Sequence, residues 1–217
     1  MFAERYRAAF ESLGLPLRPK DGLKPESLEH IKLEGLHLPL ALREFFLVAG
    51  NEAVLNQSFN RLIAPQDVFV EAGRIIFMEE NQAVVYWGVR PDGSENPVVE
   101  QGINVEGKPI EWHSEGGGCA GFLEAMLYWQ ASFGGGLKYP VQAQVGPDFR
   151  ASLEQGFRFV GQVSEIRAFA RDGCAITFLK WFDDADATQT WRVFAGFSKK
   201  KLQTAVGKEL DLIWEEY

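Results

Sequence analysis

The sequence predicts an α+β protein, because helical and strand-like patterns occur in separate blocks along the chain. Apolar residues recur at helical spacing in residues 2–13. Two strand-like runs, 74–79 and 83–89, are separated by the polar residues 80–82, which indicates a β-hairpin. Further strand-like runs follow in the last third of the chain.

Helices fill the N-terminal part of the sequence. The first covers residues 2–13 and ends at Gly14, a residue type that commonly terminates helices. Residues 15–21 carry two prolines and predict an extended linker. A short helix is expected from residue 25 to about residue 33, with proline in its first turn. Residues 40–49 predict another helix, whose apolar stripe indicates core packing.

Short strands and turns surround the predicted hairpin. Residues 60–67 are expected to be a strand or a turn that enters the sheet. Residues 96–100 predict a short edge strand, because Pro97 removes a hydrogen-bond donor from the ladder. A further strand is predicted at 109–113, and the glycines at 116–118 are expected to break it.

A helix at 122–130 closes this block, and the tail contains a second series of elements. A helix is expected at 149–155, and three strand-like runs follow it: 158–163, 175–182 and 190–197. In these strands, alternation directs Lys180 and Arg192 outward. Ser198 is placed to cap a terminal helix that carries these apolar residues near one face: Leu202, Val206, Leu210 and Ile213.

Composition excludes several classes of protein. The 217 residues are 46% hydrophobic, which is enough for a sizeable core. The net charge of −8 argues against a nucleic-acid-binding surface, because such surfaces need Lys and Arg. Residues 75–127 contain nine Asp or Glu and two Lys or Arg, so nearly all the net charge lies there. This stretch is either the solvated edge of a sheet or an acidic face for a basic protein.

No residues suggest a metal, a cofactor or catalysis. Cys119 and Cys174 lack metal-ligand spacing and are expected to be buried free thiols. The three histidines are scattered, and no Ser or Cys lies in a nucleophile-elbow pattern. Residues 183–186 are interpreted as a solvated turn, since they lack the pattern of a calcium loop. No signal peptide or membrane span is expected, so the predicted location is cytoplasmic.

An ordered set of motifs resembles the SUKH superfamily, which contains bacterial immunity proteins and a fungal regulator of cell-wall synthesis. The resemblance spans roughly residues 15–133. Its motifs are Leu38-Pro39, Leu42-Arg43-Glu44-Phe45-Phe46, Ala49-Gly50, Asn60-Arg61-Leu62, Pro65-Gln66-Asp67, Phe77 to Gln82, Tyr86-Trp87-Gly88-Val89, Asn96-Pro97-Val98-Val99, Trp112 and the helix from Phe122 to Trp129.

The resemblance implies a twisted, mostly antiparallel or mixed sheet flanked by helices, without catalytic activity. Bacterial members bind and neutralise toxin domains, often nucleases. We therefore expect residues 1–136 to form a SUKH-like domain with an N-terminal helix. Residues 137–217 are expected to form a strand-rich extension, and whether it packs into the same domain is left open.

The predicted partner-binding residues lie in the acidic stretch. Each has two interpretations. The turn residues Glu79, Glu80, Asn81 and Gln82 either discourage edge pairing or direct carboxylates at a basic partner. Trp87 and Trp112 either pack in the core or anchor a partner, and Glu111 adds charge beside Trp112.

Two functions compete at this point. The first is an immunity protein that occludes a basic, nuclease-type toxin domain, with electrostatics from Glu79, Glu80, Glu95, Glu100, Glu106, Glu111 and Glu115. The alternative is a regulatory or scaffold module with several weaker protein partners. An enzyme is not expected, because no set of nucleophile, base and orienting group is recognisable.

Overall fold

The computed structural model of the chain describes residues 1–29, 31, 33, 35–183 and 188–216. It confirms the α+β class, with helices and two antiparallel sheets in the described residues. The chain divides into two compact units. The first comprises Met1–Ala8 with Leu17–Leu123, and the second comprises Ala9–Pro16 with Glu124–Tyr217. Each unit contains one of the two sheets.

The described residues form seven α-helices. They are α1 (Phe2–Ser12), α2 (Pro25–Glu29), α3 (Leu40–Ala49), α4 (Ala53–Asn56), α5 (Cys119–Ser132), α6 (Phe149–Gly156) and α7 (Lys200–Glu209). The predicted helices at 2–13 and 40–49 are confirmed within a residue. Helix α2 ends earlier than predicted, since Ile31 and Leu33 are not helical. The predicted linker contains a 3₁₀ turn at Pro19–Asp21, which the backbone N–H and guanidinium of Arg18 stabilise by donating to the Asp21 carboxylate.

The first unit is built on an antiparallel sheet. Its strands are β1 (Asn60–Leu62), β2 (Phe69–Glu71), β3 (Arg74–Glu80), β4 (Val85–Val89), β5 (Val98–Ile103) and β6 (Glu111–Gly118). The order is β1-β3-β4-β5-β6, and β2 also pairs with β3. The predicted hairpin is confirmed, because β3 and β4 pair with Ile75 opposite Val89 and Glu79 opposite Tyr86.

Two expectations for this sheet were wrong. The strand expected at the edge, β5, lies between β4 and β6, because Pro97 precedes it and removes no donor from its ladder. The glycines at 116–118 extend β6 instead of breaking it, and Gly118 pairs with Val98 beyond a register shift. A bulge tolerates glycine in a strand, since an extra residue bends the chain there.

Aromatic rings fill the core of the first unit. The Phe122 ring lies 5.9 Å from Phe77 on β3 and 6.0 Å from Trp87 on β4, measured between ring centroids. Tyr6 contacts Phe45 of α3 edge-on at 5.1 Å and donates its hydroxyl to the Ala41 carbonyl. Burying a ring of this size stabilises the fold by about 1.5–3 kcal/mol relative to exposure. Helix α3 therefore packs on α1 through Tyr6, and the hairpin packs on α5 through Phe122.

The second unit contains the other antiparallel sheet. Its strands are β7 (Tyr139–Val145), β8 (Arg158–Val163), β9 (Ile166–Arg171), β10 (Cys174–Asp183) and β11 (Thr188–Phe197), in the order β7-β11-β10-β9-β8. One face of the sheet packs on Leu153 of α6 and Val206 of α7. On α5, Ser132 hydrogen-bonds Thr177 of β10, and Phe133 just beyond the helix stacks on Phe194 of β11. The strands predicted at 158–163, 175–182 and 190–197 are confirmed, whereas β7 and β9 were missed.

The terminal helix differs from its predicted form. Lys199 occupies the N-cap position of α7 without a side-chain cap, so Ser198 does not have the predicted role. Leu210 and Ile213 lie beyond the end of the helix at Glu209, and the Ile213 side chain is 90% exposed. Outward placement of Lys180 is confirmed, while Arg192 is half-buried. A turn was expected at 183–186. Asp183 is the last residue of β10, and residues 184–186 lie outside the described part of the chain.

Both cysteines are buried free thiols, as expected, and burial raises the pKa of each thiol well above its ordinary value. Across the described part of the chain, no helix combines the length and apolar character needed to cross a membrane.

Candidate functional site

Two hairpin turns meet at one end of the first sheet. Residues 81–84 connect β3 to β4, and residues 104–110 connect β5 to β6. The pairing of Ile103 with Val85 on one side and with Glu111 on the other places both turns at the same end. We call this surface, residues 80–84 and 103–111, the turn end. It contains the predicted turn residues Glu80, Asn81 and Gln82.

Asn104 joins the two turns. Its backbone N–H donates to the Val84 carbonyl at 2.9 Å, and its side-chain amide donates to the Ala83 carbonyl at 3.1 Å. The same amide donates to the Tyr86 hydroxyl at 3.2 Å. Because this one residue bonds three groups of the neighbouring hairpin, two of them through its side chain, the turns are held in a fixed arrangement. The amide of asparagine suits this role, since it carries two donors.

Three exposed β-branched residues lie at the turn end, and we call them the apolar centre. Val84 is 45% exposed, Ile103 is 40% exposed and Val105 is 46% exposed. The Val84 carbonyl accepts a hydrogen bond from the backbone N–H of Asn104, the residue between Ile103 and Val105, so the two backbone segments are adjacent. Ile103 pairs with Val85, so the side chains of Ile103 and Val84 point to opposite faces of the sheet. Exposed apolar area beside polar residues commonly marks interaction sites. Sequence reasoning missed this centre, although the β-branched residues beside each turn were a usable signal.

Carboxylates also lie at the turn end. Glu106 and Glu111 are exposed, and neither forms an ion pair with the described residues. Glu80 is half-buried and accepts a hydrogen bond from the backbone N–H of Gln82 at 2.9 Å. Lys108 is the only Lys or Arg in these two segments of the sequence. The turn end therefore combines apolar contact area with a negative rim, which suits a partner carrying Lys and Arg.

Several predicted site residues lie elsewhere or are already engaged. The Glu79 carboxylate pairs with Arg61 across β1 and β3 at 3.0 Å. Trp87 is 2% exposed, and its indole N–H donates to Glu115 at 2.8 Å. Of its two interpretations, Trp87 therefore fits core packing, because its ring offers no surface to a partner. The structure thus keeps Glu80, Asn81, Gln82 and Glu111 together and separates Glu79 and Trp87 from them.

Trp112 is engaged on the outer face of the first sheet. The Arg74 guanidinium lies 4.3 Å from the centroid of its ring, and Arg74 also pairs with Glu100 through bonds of 2.7 and 3.1 Å. The ring lies against Gly102, where a Cβ atom would come within 2.6 Å of it. Trp112 therefore orients the buried Arg74, and the Glu100 charge is neutralised locally.

A polar cluster in the second unit resembles a catalytic arrangement. The Ser12 hydroxyl lies 2.5 Å from the Tyr128 hydroxyl, to which Arg158 donates at 3.1 Å. Arg158 also pairs with Glu124 at 3.3 Å. Burial raises the pKa of Tyr128 above its ordinary value, so the phenol keeps its proton near neutral pH. Each polar group of this cluster has a hydrogen-bond or ion-pair partner within it, which is consistent with a structural role.

No three His, Cys, Asp or Glu side chains in the described ranges are arranged to hold a metal ion. The chain matches no protein-family model, no curated protein and no solved structure.

Proposed function

We propose that this protein is a non-catalytic binding module whose turn end engages a basic protein. The most specific form of the proposal is an immunity protein that neutralises a nuclease-type toxin domain by covering its active surface. It would act in the cytoplasm of a bacterium, without a cofactor or direct contact with nucleic acid.

The observation that carries the proposal is the combination found at the turn end. Val84, Ile103 and Val105 supply exposed apolar area, and Glu106 and Glu111 stand beside it without ion-pair partners among the described residues. Apolar area provides the attraction on contact, and the carboxylates accelerate encounter with a positive partner. Nucleases are commonly basic, because they bind a polyanion. An acidic surface can therefore compete for the same groups as the substrate phosphates.

The motif resemblance to the SUKH superfamily is the second support. Its motif Phe77 to Gln82 ends at the turn end, and Tyr86-Trp87-Gly88-Val89 forms the strand that follows. The resemblance also implies the α+β class, which the chain has. Membership of the superfamily is part of the proposal.

The test compares three forms of the protein as bait in lysate of the source cells. They are the wild type, the triple variant E80K/E106K/E111K and the control triple variant E26K/E71K/E165K. The control changes the net charge equally at exposed carboxylates that are not among the residues of the turn end. We expect one dominant, basic, stoichiometric partner with the wild type and the control, and at least about tenfold less of it with the first variant.

Equal recovery with both triple variants would contradict the proposal. Recovery of several substoichiometric proteins that depend on the turn end would favour the regulatory or scaffold alternative. The toxin form of the proposal further requires that the purified partner has nuclease activity and that added wild-type protein suppresses it.

A further inference from the structure

The turn between β3 and β4 has a strained backbone. Ala83 has a φ of +57°, in the left-handed region that residues with a Cβ atom rarely adopt. Glycine would occupy this region without the steric cost, yet the chain has alanine there. A residue in such a conformation persists only where its surroundings hold it, and such residues are common at binding and active sites. The turn therefore needs contacts that keep it in this shape.

Hydrogen bonds within the turn supply part of this support. The backbone N–H of Ala83 donates to the Glu80 carbonyl at 2.8 Å, and the backbone N–H of Gln82 donates to the Glu80 carboxylate at 2.9 Å. The carbonyls of Ala83 and Val84 are instead bonded from outside the turn, by Asn104. The shape of the turn thus depends on a residue of the neighbouring hairpin.

The side chain of Asn104 contacts the strained residue directly. Its amide donates to the Ala83 carbonyl and to the hydroxyl of Tyr86, in the strand that follows the turn. An aspartate of nearly the same size could not bond the Ala83 carbonyl, because an ionised carboxylate has no donor. The contact therefore requires the amide donors of asparagine, and a side chain of equal volume does not replace them.

We propose that Asn104 is a positioning residue for the partner-binding surface, and that it fixes the strained turn at residues 80–84 in its binding conformation before the partner arrives. The inference rests on the proposed function and concerns how the same surface reaches its affinity. A loop that becomes ordered only on binding loses conformational freedom at that step, which weakens the complex. A turn that is fixed in advance avoids this loss, so Glu80 and Val84 meet the partner already in place.

The variant Asn104→Asp separates positioning from charge. It nearly retains the size of the side chain, removes both amide donors and adds a negative charge at the turn end. If the surface acted through charge alone, the added carboxylate would strengthen binding to a basic partner. If Asn104 positions the turn, the variant binds more weakly in spite of its charge. Gln155→Glu is the matched control, because it adds the same charge at an exposed side chain of α6, in the second unit.

The first measurement needs no partner. Nitrogen-15 relaxation gives the backbone order parameters of residues 82–84 in the free protein. We expect values near about 0.85, typical of a rigid backbone, in the wild type and in Gln155→Glu. In Asn104→Asp and Asn104→Ala we expect values below about 0.6, while residues 75–78 of β3 remain rigid. A turn that is already flexible in the wild type, or that stays rigid in both Asn104 variants, would overturn the inference.

The second measurement is the dissociation constant for the partner that the wild type captures. We expect Asn104→Asp and Asn104→Ala to raise it about tenfold, and Gln155→Glu to leave it unchanged. Equal or tighter binding by Asn104→Asp would also overturn the inference. The proposed function survives that result if E80K/E106K/E111K loses the captured partner. If that variant keeps the partner, the proposed function itself fails.

Discussion

The substitution Gly102→Ala tests the packing of the outer face of the first sheet. Gly102 lies in β5, opposite Trp112 of β6. A Cβ atom at this position would lie 2.6 Å from Cζ3 and 2.8 Å from Cη2 of the Trp112 ring, and 2.8 Å from Cγ2 of Ile110. Separations under 3.0 Å cannot be accommodated without movement, so the ring must shift.

The shift of Trp112 has a further consequence, because the ring supports a charged group. Arg74 stacks on it at 4.3 Å and pairs with Glu100, so the ring cannot move without disturbing this buried guanidinium. Overpacking of this kind costs about 1–3 kcal/mol. Replacing glycine by alanine in a strand otherwise gains about 0.5–1 kcal/mol. We therefore expect Gly102→Ala to lower the free energy of unfolding of the first unit by about 1–2 kcal/mol.

The assay is urea-dependent hydrogen exchange of the strand amides in the first unit, with Gly117→Ala as the matched control. Gly117 is in β6 and has open space around it, so its substitution should be neutral or should stabilise by up to about 1 kcal/mol. Adding Trp112→Leu should recover part of the loss, and the remaining contact with Ile110 should prevent full recovery. If Gly102→Ala is as stable as Gly117→Ala, the packing argument is refuted.

Three further predictions concern groups away from the turn end. Thr177→Val should destabilise the second unit by about 1 kcal/mol in denaturant unfolding, because it removes the buried 2.8 Å bond to Ser132. Hydrogen bonds from the side chain and backbone of Arg18 hold the pKa of Asp21 below its ordinary value. The resulting stabilisation is complete above the unfolded-state pKa of about 3.9 and is lost as the pH falls through the folded-state pKa. In this acidic range, the free energy of unfolding of Asp21→Asn should therefore change less with pH than that of the wild type. Cys119 and Cys174 should resist iodoacetamide at pH 8 in the folded protein and react after unfolding in urea, as mass spectrometry would show.

The elements with strong local patterns were predictable from the sequence. The helix at Leu40–Ala49 has an apolar stripe over its whole length, and the hairpin of β3 and β4 combines β-branched runs with a short polar turn. In both cases local propensity and burial favour the same structure, which is the condition under which pattern reasoning succeeds.

The missed and misplaced strands depend on pairing that the local pattern does not encode. Strand β7 pairs with β11 of a distant segment, and its Gln142 and Gln144 alternate with apolar residues. Strand β5 was assigned to an edge from Pro97 alone, although the residues after the proline have neighbours on both sides. Tertiary contacts outweigh propensity at such positions.

The candidate surface was partly predictable. Charge counting located the acidic stretch, and Glu80, Asn81, Gln82 and Glu111 do lie at the turn end. Charge counting could not identify the carboxylates that form ion pairs within the fold. Arg61 pairs with Glu79 and Arg74 pairs with Glu100 only once the strands of the sheet are assembled. Charge counting also missed the apolar centre, since Val84, Ile103 and Val105 are adjacent only after two hairpins align.

The most direct test of binding at the turn end is the association rate of this protein with its captured partner, measured by stopped-flow as ionic strength is raised. For the wild type and for E26K/E71K/E165K we predict a rate that falls at least about tenfold between roughly 50 mM and 500 mM salt. For E80K/E106K/E111K we predict a slow rate with little salt dependence. Identical rates for all three proteins at every salt concentration would contradict the account.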